Sequence, residues 1–342
     1  MLKVLRVGKS CCLALFLVAA AWAAADEPGQ AAPSAKRNDD SALQTLRVEV
    51  EVVNVFFNVK DKRGALVPNL TRDRFEVFEE GAPQTIKYFA AESDQPLTLG
   101  LLMDTSGSVR SILDAEKRVG MAFLNEVIGS KDLAFLVTFD VNVDLLQDFT
   151  NSKSRLRQGF EKARINTGGG DGVIIPGGGG NPVPTSKPRG GTKLFDAVYL
   201  ASREKLASEV GRKAIIILTD GQDEGSFYDI KQAIEAAQKA DTLCYVLLIV
   251  DRGFYGGYPY SGPGDMEKLA EQTGGRMIEI KKMEQLKEAF DQIAQELRSQ
   301  YSIGYTPSNT TRDGGFRRIQ IKSTDGYKIQ ARQGYYATKA SN

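Results

Sequence analysis

The sequence predicts an α/β fold: a doubly wound, mostly parallel sheet flanked by strand-rich segments. Apolar runs of strand length alternate with helical stretches from Leu97 to about Gln300, and two of the runs end in an aspartate. The predicted strands are Leu97–Met103, Leu133–Phe139, Ala214–Thr219, Leu243–Val250 and Arg276–Ile280, with Val143–Phe149 as an antiparallel edge strand. The predicted helices are Val109–Val127, Ser152–Arg164, Lys193–Ala207, Tyr228–Lys239, Asp265–Thr273 and Met283–Leu297.

Both flanks of this unit show strand patterns. Alternating apolar residues run from Leu46 to Val59 with one change of phase, which suggests a bulge or a crossover between sheets. Further predicted strands are Phe75–Phe78, Thr85–Phe89, Tyr301–Tyr305, Phe316–Lys322 and Lys328–Arg332, with Asp325-Gly326 as a hairpin turn. Neither flank has enough strands to be stable alone. We therefore predict that segments 44–92 and 301–338 combine into a β-sandwich-like domain, with the α/β domain, 96–300, inserted between them.

The amino terminus predicts export. Lys3, Arg6 and Lys9 precede an apolar run, Cys11–Ala25, which ends in an A-x-A cleavage pattern. We expect residues 1–25 to be a signal peptide cleaved after Ala25, and 26–43 to be a disordered tether. The mature protein would then be secreted or periplasmic, without an integral membrane segment. The alternative is an uncleaved anchor, for which the apolar run is short of the roughly 20 residues of a spanning helix.

Composition excludes several functions. The 342 residues carry a formal net charge of +1 and no basic stripe interleaved with aromatic residues, which argues against a nucleic-acid partner. The chain contains no histidine, which excludes Ser-His-Asp triads and zinc–histidine sites. No glycine-rich phosphate-binding loop is present.

Three loops carry the oxygen donors of a candidate metal site. Asp104-Thr105-Ser106-Gly107-Ser108 directly follows a predicted strand, and Asp220-Gly221 follows another. Thr192 follows Gly190-Gly191 at the start of a predicted helix. Ligands of doubly wound sheets gather beyond the carboxyl ends of the strands, and hard oxygen donors suit Mg²⁺. The alternative for Ser108 is a helix cap.

Together these loops resemble the metal-ion-dependent adhesion site (MIDAS) of von Willebrand factor A domains, a Rossmann-like family. The family pattern transfers to Asp104, Ser106, Ser108, Thr192 and Asp220, with no position missing. The resemblance implies that Ser106 and Ser108 bind Mg²⁺ directly. Thr192 would bind it directly or through water, and the two aspartates would act through water. Mn²⁺ or Ca²⁺ are alternatives to Mg²⁺, and one open coordination position would accept an Asp or Glu of a partner protein.

The flanks extend this resemblance to the von Willebrand-A-related exported proteins described from Acidobacteria. The matching segments are Phe75–Gly81, Arg317-Arg318-Ile319 and Gly334-Tyr335-Tyr336. We therefore predict an exported, metal-dependent adhesion or protein-binding module, and no enzyme. The alternative is an envelope scaffold or assembly factor whose metal is structural and whose β domain makes the contacts. A Mg²⁺-dependent hydrolase ranks below both.

Two further segments bear on partner binding. Tyr255, Tyr258 and Tyr260 follow a predicted strand on the same side as the metal loops, which suits a protein-binding rim, although self-packing of their loop is the alternative. The glycine-rich segment Asn166–Gly191 leads into Thr192. It is either a tolerated surface insertion or a lid that closes over a bound partner.

Overall fold

The computed structural model describes residues 52–91, 95–166, 191–250 and 262–339. The predicted signal peptide and tether lie outside the described residues. The strands are β1 (Val53–Lys60), β2 (Phe75–Glu79), β3 (Ala82–Gln84), β4 (Ile86–Ala91), β5 (Leu97–Asp104), β6 (Leu133–Phe139), β7 (Val143–Thr150), β8 (Arg212–Thr219), β9 (Thr242–Ile249), β10 (Met277–Ile280), β11 (Tyr301–Tyr305), β12 (Phe316–Ser323), β13 (Lys328–Ala331) and β14 (Gly334–Tyr336). The helices are α1 (Leu113–Val127), α2 (Lys153–Lys162), α3 (Leu194–Leu200), α4 (Ile230–Lys239), α5 (Gly262–Thr273) and α6 (Glu284–Arg298).

A six-stranded sheet in the order β10-β9-β8-β5-β6-β7 forms the centre of the α/β unit. All neighbours pair in parallel except β7, which runs antiparallel to β6 at the edge. Every residue of β5, β8 and β9 is buried, because helices cover both faces of the sheet. Helices α1, α2 and α6 pack on one face, and α3, α4 and α5 pack on the other. The predicted α/β class is confirmed.

The winding direction changes between β5 and β8. From β5 the chain continues to β6 and β7 on one side, and β8, β9 and β10 then extend the sheet on the other side. Such a switch point separates the loops beyond the carboxyl ends of the two neighbouring strands. The resulting crevice lies beside Asp104, the last residue of β5, and Asp220, which follows β8.

Several helices begin or end elsewhere than predicted. The first begins at Leu113 rather than at Val109, because Gly107–Val109 forms a separate 3₁₀ turn. The fourth begins at Ile230 rather than at Tyr228, because Asp229 and Gln232 form a capping box. Helix α3 continues into a π-helical turn at Ala201–Leu206. Among the described residues, no helix combines the length and the apolar character needed to cross a membrane.

Strands of the two flanks pair directly with each other. One four-stranded sheet has the order β13-β1-β11-β4, and the other has the order β14-β12-β2-β3. Strand β1 of the amino-terminal flank lies between β11 and β13 of the carboxyl-terminal flank, and both pairings are antiparallel. Side chains from both sheets form one hydrophobic cluster that includes Val55, Phe57, Tyr301, Ile303 and Ile321.

One strand prediction in the flanks is confirmed and one turn prediction is wrong. The predicted strand Thr85–Phe89 corresponds to β4, which pairs with β11. Asp325-Gly326 is a turn but not a hairpin, since β12 and β13 belong to different sheets. After this turn the chain crosses from one sheet to the other around the shared cluster, which a local turn pattern does not reveal. The two-residue hairpin turn is instead Glu80-Gly81, where both residues have positive φ.

A buried acid joins the small sheets to the α/β unit. Glu296 of α6 accepts a hydrogen bond from Lys60 Nζ of β1 at 2.9 Å and another from Arg276 Nε at 2.6 Å. Its backbone carbonyl accepts from Asn58 Nδ2 at 2.7 Å. Its other carboxylate oxygen accepts from Gln330 Nε2 of β13 at 3.2 Å. Because the carboxylate is paired with two cations, its burial is compensated.

Candidate metal centre

Four of the five predicted metal residues meet at the carboxyl end of β5 and β8. The backbone N–H of Ser106 donates to Asp104 Oδ1 at 2.9 Å, so the chain turns sharply after β5. The hydroxyls of Ser106 and Ser108 lie 2.9 Å apart, and Ser108 Oγ donates to Asp220 Oδ2 at 2.5 Å. Thr219 Oγ1 donates to Asp104 Oδ2 at 3.0 Å and thereby links the ends of the two strands.

Neither serine caps a helix. The residue that precedes α1 is Ile112, which offers no side-chain oxygen, and the 3₁₀ turn that follows Ser106 also has no side-chain cap. The hydroxyls of Ser106 and Ser108 are directed at each other and at Asp220 instead. The helix-cap interpretation of Ser108 is therefore wrong.

The fifth residue, Thr192, is held beside these loops by its backbone. Its N–H donates to Glu224 O at 3.0 Å, and its carbonyl accepts from Glu224 N at 2.8 Å. Glu224 belongs to the loop that begins at Asp220. The N–H of Lys193 donates to Asp140 O at 2.8 Å, which attaches the same segment to the end of β6. Thr192 is buried, with 7% of its surface exposed.

Asp140 connects the Asp104–Ser108 loop to the segment that carries Thr192, and it was not among the predicted site residues. Its carboxylate accepts from Thr105 Oγ1 at 2.8 Å, from Asn142 N at 3.0 Å and from Asn166 Nδ2 at 3.1 Å. The residue follows β6, the strand next to β5, so the rule that placed Asp104 at the site applies equally to it. Asp140 therefore holds Thr105, the residue between Asp104 and Ser106.

The loop after Asp220 is fixed by two further aspartates. Asp196 Oδ1 of α3 accepts from the N–H of Phe227 at 2.8 Å and of Tyr228 at 2.9 Å. In return, Asp223 Oδ1 accepts from Phe195 N at 3.0 Å. These reciprocal bonds attach the Asp220 loop to the helix that follows Thr192. The Thr192 segment and the Asp220 loop therefore form one hydrogen-bonded unit.

Burial raises the free energy needed to ionise the acids at the site. Asp104 is fully buried, and this burial, followed by the nearby charge of Asp220, raises the pKa of its carboxyl group to about 7. Glu116 of α1 is also fully buried, and both its carboxylate oxygens lack hydrogen-bond partners among the described residues. Burial raises the pKa of Glu116 well above its ordinary value, and Asp104 and Asp220 raise it further. A cation at this point would favour the ionised forms of these acids.

The donors fit a hard cation. Ser106, Ser108 and Thr192 would offer hydroxyl oxygens, and Asp104 and Asp220 would balance the charge, the set that Mg²⁺ accepts. Within the described ranges, no three cysteine, aspartate or glutamate side chains are grouped so as to hold a metal by themselves. A metal here would therefore depend on the hydroxyls. It would supply a positive charge and a coordination position for an acidic ligand.

Two predicted features lie outside the described residues. The rim tyrosines Tyr255, Tyr258 and Tyr260 fall in the stretch 251–261, and the glycine-rich segment is described only at Asn166 and Gly191.

No family model matches the chain, and no curated protein matches it. Solved structures with similarity include BatB, a conserved hypothetical protein from Bacteroides thetaiotaomicron. It is 19% identical over 59% of this chain and 97% of BatB, with a TM-score of 0.43. A von Willebrand factor type A protein from Catenulispora acidiphila is 14% identical over 86% of this chain and 74% of its own, with a TM-score of 0.45.

Proximal thread matrix protein 1 from the mussel byssus, solved with zinc in its MIDAS motif, is a third similar structure. It is 13% identical over 64% of this chain, with a TM-score of 0.46, and this chain covers 50% of its length. The structural neighbours thus include von Willebrand A proteins. Among these three structures the identities are no higher than 19% and the TM-scores no higher than 0.46.

Metal-free protein is expected to lose stability as pH rises from near 3.8, the ordinary pKa of aspartate, to about 7, the pKa of Asp104. In this window the folded state retains a proton that the unfolded chain releases, so the free energy of unfolding falls by about 4 kcal/mol across it. Mg²⁺ competes with that proton, so its apparent affinity should fall as pH drops below about 7. Urea unfolding in EDTA and calorimetric Mg²⁺ titration across the window measure both effects.

Asp104→Asn is the matched variant, since it keeps the shape of the side chain and cannot ionise. Its metal-free stability should depend less on pH in this window. A wild-type slope in the variant would show that Asp104 is not the group responsible.

Proposed function

We propose that this protein is an exported module that binds another protein through a divalent cation, which recognises an acidic side chain of the partner. The observation that carries the proposal is the hydrogen-bonded chain from Ser106 through Ser108 to Asp220 at the switch point of the sheet. Export is supported by the charged and apolar pattern of residues 1–25. We propose Mg²⁺ as the cation because hydroxyl oxygens make up most of the donor set.

Two hydroxyls and few direct anionic ligands would leave the cation electrophilic. A carboxylate from outside would then complete its coordination, and the buried Asp104 and Asp220 would balance part of its charge. Recognition would depend on metal, on the acidic group of the partner and on the fixed positions of the three loops. The bond to the partner would remain reversible.

We infer that the site binds and does not catalyse. The chain has no histidine to act as a general base, and the hydroxyls of Ser106 and Ser108 are engaged with each other and with Asp220. Magnesium-dependent hydrolysis of a phosphate ester by wild type, lost in Asp104→Asn, would overturn this inference.

An exposed aromatic side chain supports partner contact beside the site. Phe227 is 84% exposed, yet its backbone N–H is held by the buried Asp196. It lies on the loop that starts at Asp220 and pairs with Thr192 through Glu224. An apolar ring exposed on the Asp220 loop would suit a partner that presents an apolar residue near its acidic one. Phe227 would then take the role predicted for the tyrosine rim.

We further propose that the two small sheets form one β-sandwich, with the α/β unit inserted between its halves. The support is the single hydrophobic cluster shared by both sheets, and the pairing of β1 with β11 and β13. Spin labels at the exposed positions Asn54 and Gln320 should lie no more than about 30 Å apart, since packed sheets are about 10 Å apart and each label extends outward from its own sheet. A much longer distance would show that the two sheets do not pack against each other.

Ser106→Ala/Ser108→Ala should abolish Mg²⁺-dependent capture of a partner while the fold remains intact, because it removes both direct hydroxyl donors. The measurement exposes the immobilised chain from Asp26 onward to envelope and secreted proteins of its source, in Mg²⁺ and in EDTA. Ser154→Ala/Ser308→Ala, at two exposed serines, is the control and should behave as wild type. Partner capture that survives both EDTA and the site variant would favour the scaffold alternative, in which the β domain makes the contacts.

Phe227→Ala should weaken partner binding about tenfold, a loss of roughly 1.4 kcal/mol, and leave Mg²⁺ binding unchanged. Val210→Ala is the matched control: Val210 is 83% exposed and lies just before β8, at the opposite end of that strand from Asp220. The comparison uses partner titrations at saturating Mg²⁺. Equal affinities for wild type and both variants would remove Phe227 from the interface.

A further inference from the structure

A large cleft lies where the small sheets meet α6. Its volume is about 810 Å³, within the range of small-molecule sites. Five cationic side chains line it: Lys60, Lys62, Arg63, Arg276 and Lys328. Two acids, Asp61 and Glu296, share the described lining, so its formal charge is +3. For a whole chain with a net charge of +1, this is a strong local excess.

The two acids do not neutralise the mouth of the cleft. Glu296 is already paired with Lys60 and Arg276. Asp61 uses its carboxylate to hold the turn that carries Lys62 and Arg63, since its Oδ1 accepts from Arg63 N at 2.8 Å and from Ala65 N at 2.9 Å. Among the described residues, the side chains of Lys62, Arg63 and Lys328 have no ion-pair partner, and all three are exposed.

The cations are close enough to influence one another. Burial lowers the pKa of Lys60, and the charges of Arg276 and Lys328 lower it further, against the opposing effect of Glu296. The positive charges of Arg276 and Lys328 therefore both lie close enough to Lys60 to repel its ammonium group. An anion placed among them would relieve this repulsion, and guanidinium and ammonium groups are the usual donors to phosphate and carboxylate oxygens.

We propose that this cleft binds a small multivalent oxyanion, a compact molecule that carries two or more phosphate or carboxylate groups. Lys62, Arg63 and Lys328 contact its charged oxygens, and the paired Lys60 and Arg276 form the floor. Because the lining comes from β1, the turn after it, β13 and α6, the bound anion joins the small sheets to the α/β unit. The site is independent of the candidate metal centre.

Calorimetric titration of the chain from Asp26 onward with tripolyphosphate and with citrate tests the proposal, in buffer freed of metal by a chelating resin and at constant ionic strength. Wild type should bind at least one probe, and the tighter of the two identifies the preferred group. Lys62→Gln/Arg63→Gln/Lys328→Gln should weaken that binding at least tenfold. These side chains are exposed and unpaired within the described residues, so the variant should unfold at the wild-type urea concentration.

A matched control removes the same charge elsewhere. Lys153→Gln/Arg157→Gln/Lys231→Gln changes three exposed cations on α2 and α4, outside the cleft. It should bind the probe within twofold of wild type. The proposal is overturned if neither probe binds wild type, or if the two triple variants lose affinity equally, since that would report net charge and not a site.

Discussion

Burial of the carboxylate of Asp104 is the constraint on which the rest of the site depends. Strand β5 lies in the middle of the sheet with helices on both faces, so its last residue has no access to water. A charge in that position requires compensation by hydrogen bonds or by a cation. The backbone of Ser106 and the hydroxyl of Thr219 supply two hydrogen bonds, and these same bonds fix the turn after β5 and join it to β8. The geometry of the site thus follows from the need to satisfy one buried acid.

The same principle organises the surrounding loops. Asp140 holds Thr105 of the first loop, and its carbonyl accepts from the residue after Thr192. Asp196 holds the backbone at Phe227, and Asp223 holds the start of α3. Each of these carboxylates replaces the regular backbone hydrogen bonds that a loop lacks. Three loops that are far apart in sequence are therefore joined by hydrogen bonds into one unit, which a metal site requires if its hydroxyls are to be held in place.

Sequence reasoning succeeded where one local rule was sufficient. Asp104 and Asp220 follow apolar runs, and parallel neighbours carry such residues to one edge, so their proximity could be predicted. The role of Asp140 depends on hydrogen bonds to Thr105 and Asn166, which no spacing rule encodes. The turn at Asp325-Gly326 has the composition of a hairpin, but the partner of the following strand is decided by the cluster between the sheets. Local chemistry predicts that a chain turns; the packing decides which strand it then joins.

Glu296 is another buried acid of this fold and can be compared with Asp104 and Glu116. Glu296 lies on α6 with Lys60 and Arg276 directly bonded to it, so its charge is balanced within the fold. Asp104 and Glu116 are equally buried, and no lysine or arginine pairs with either among the described residues. Their pKa values are raised, chiefly by burial and then by neighbouring acids. The fold thus supplies a counter-charge to Glu296, whereas a cation from solution would have to supply one to Asp104 and Glu116. A divalent cation would therefore complete the fold and make the site competent to bind in the same step.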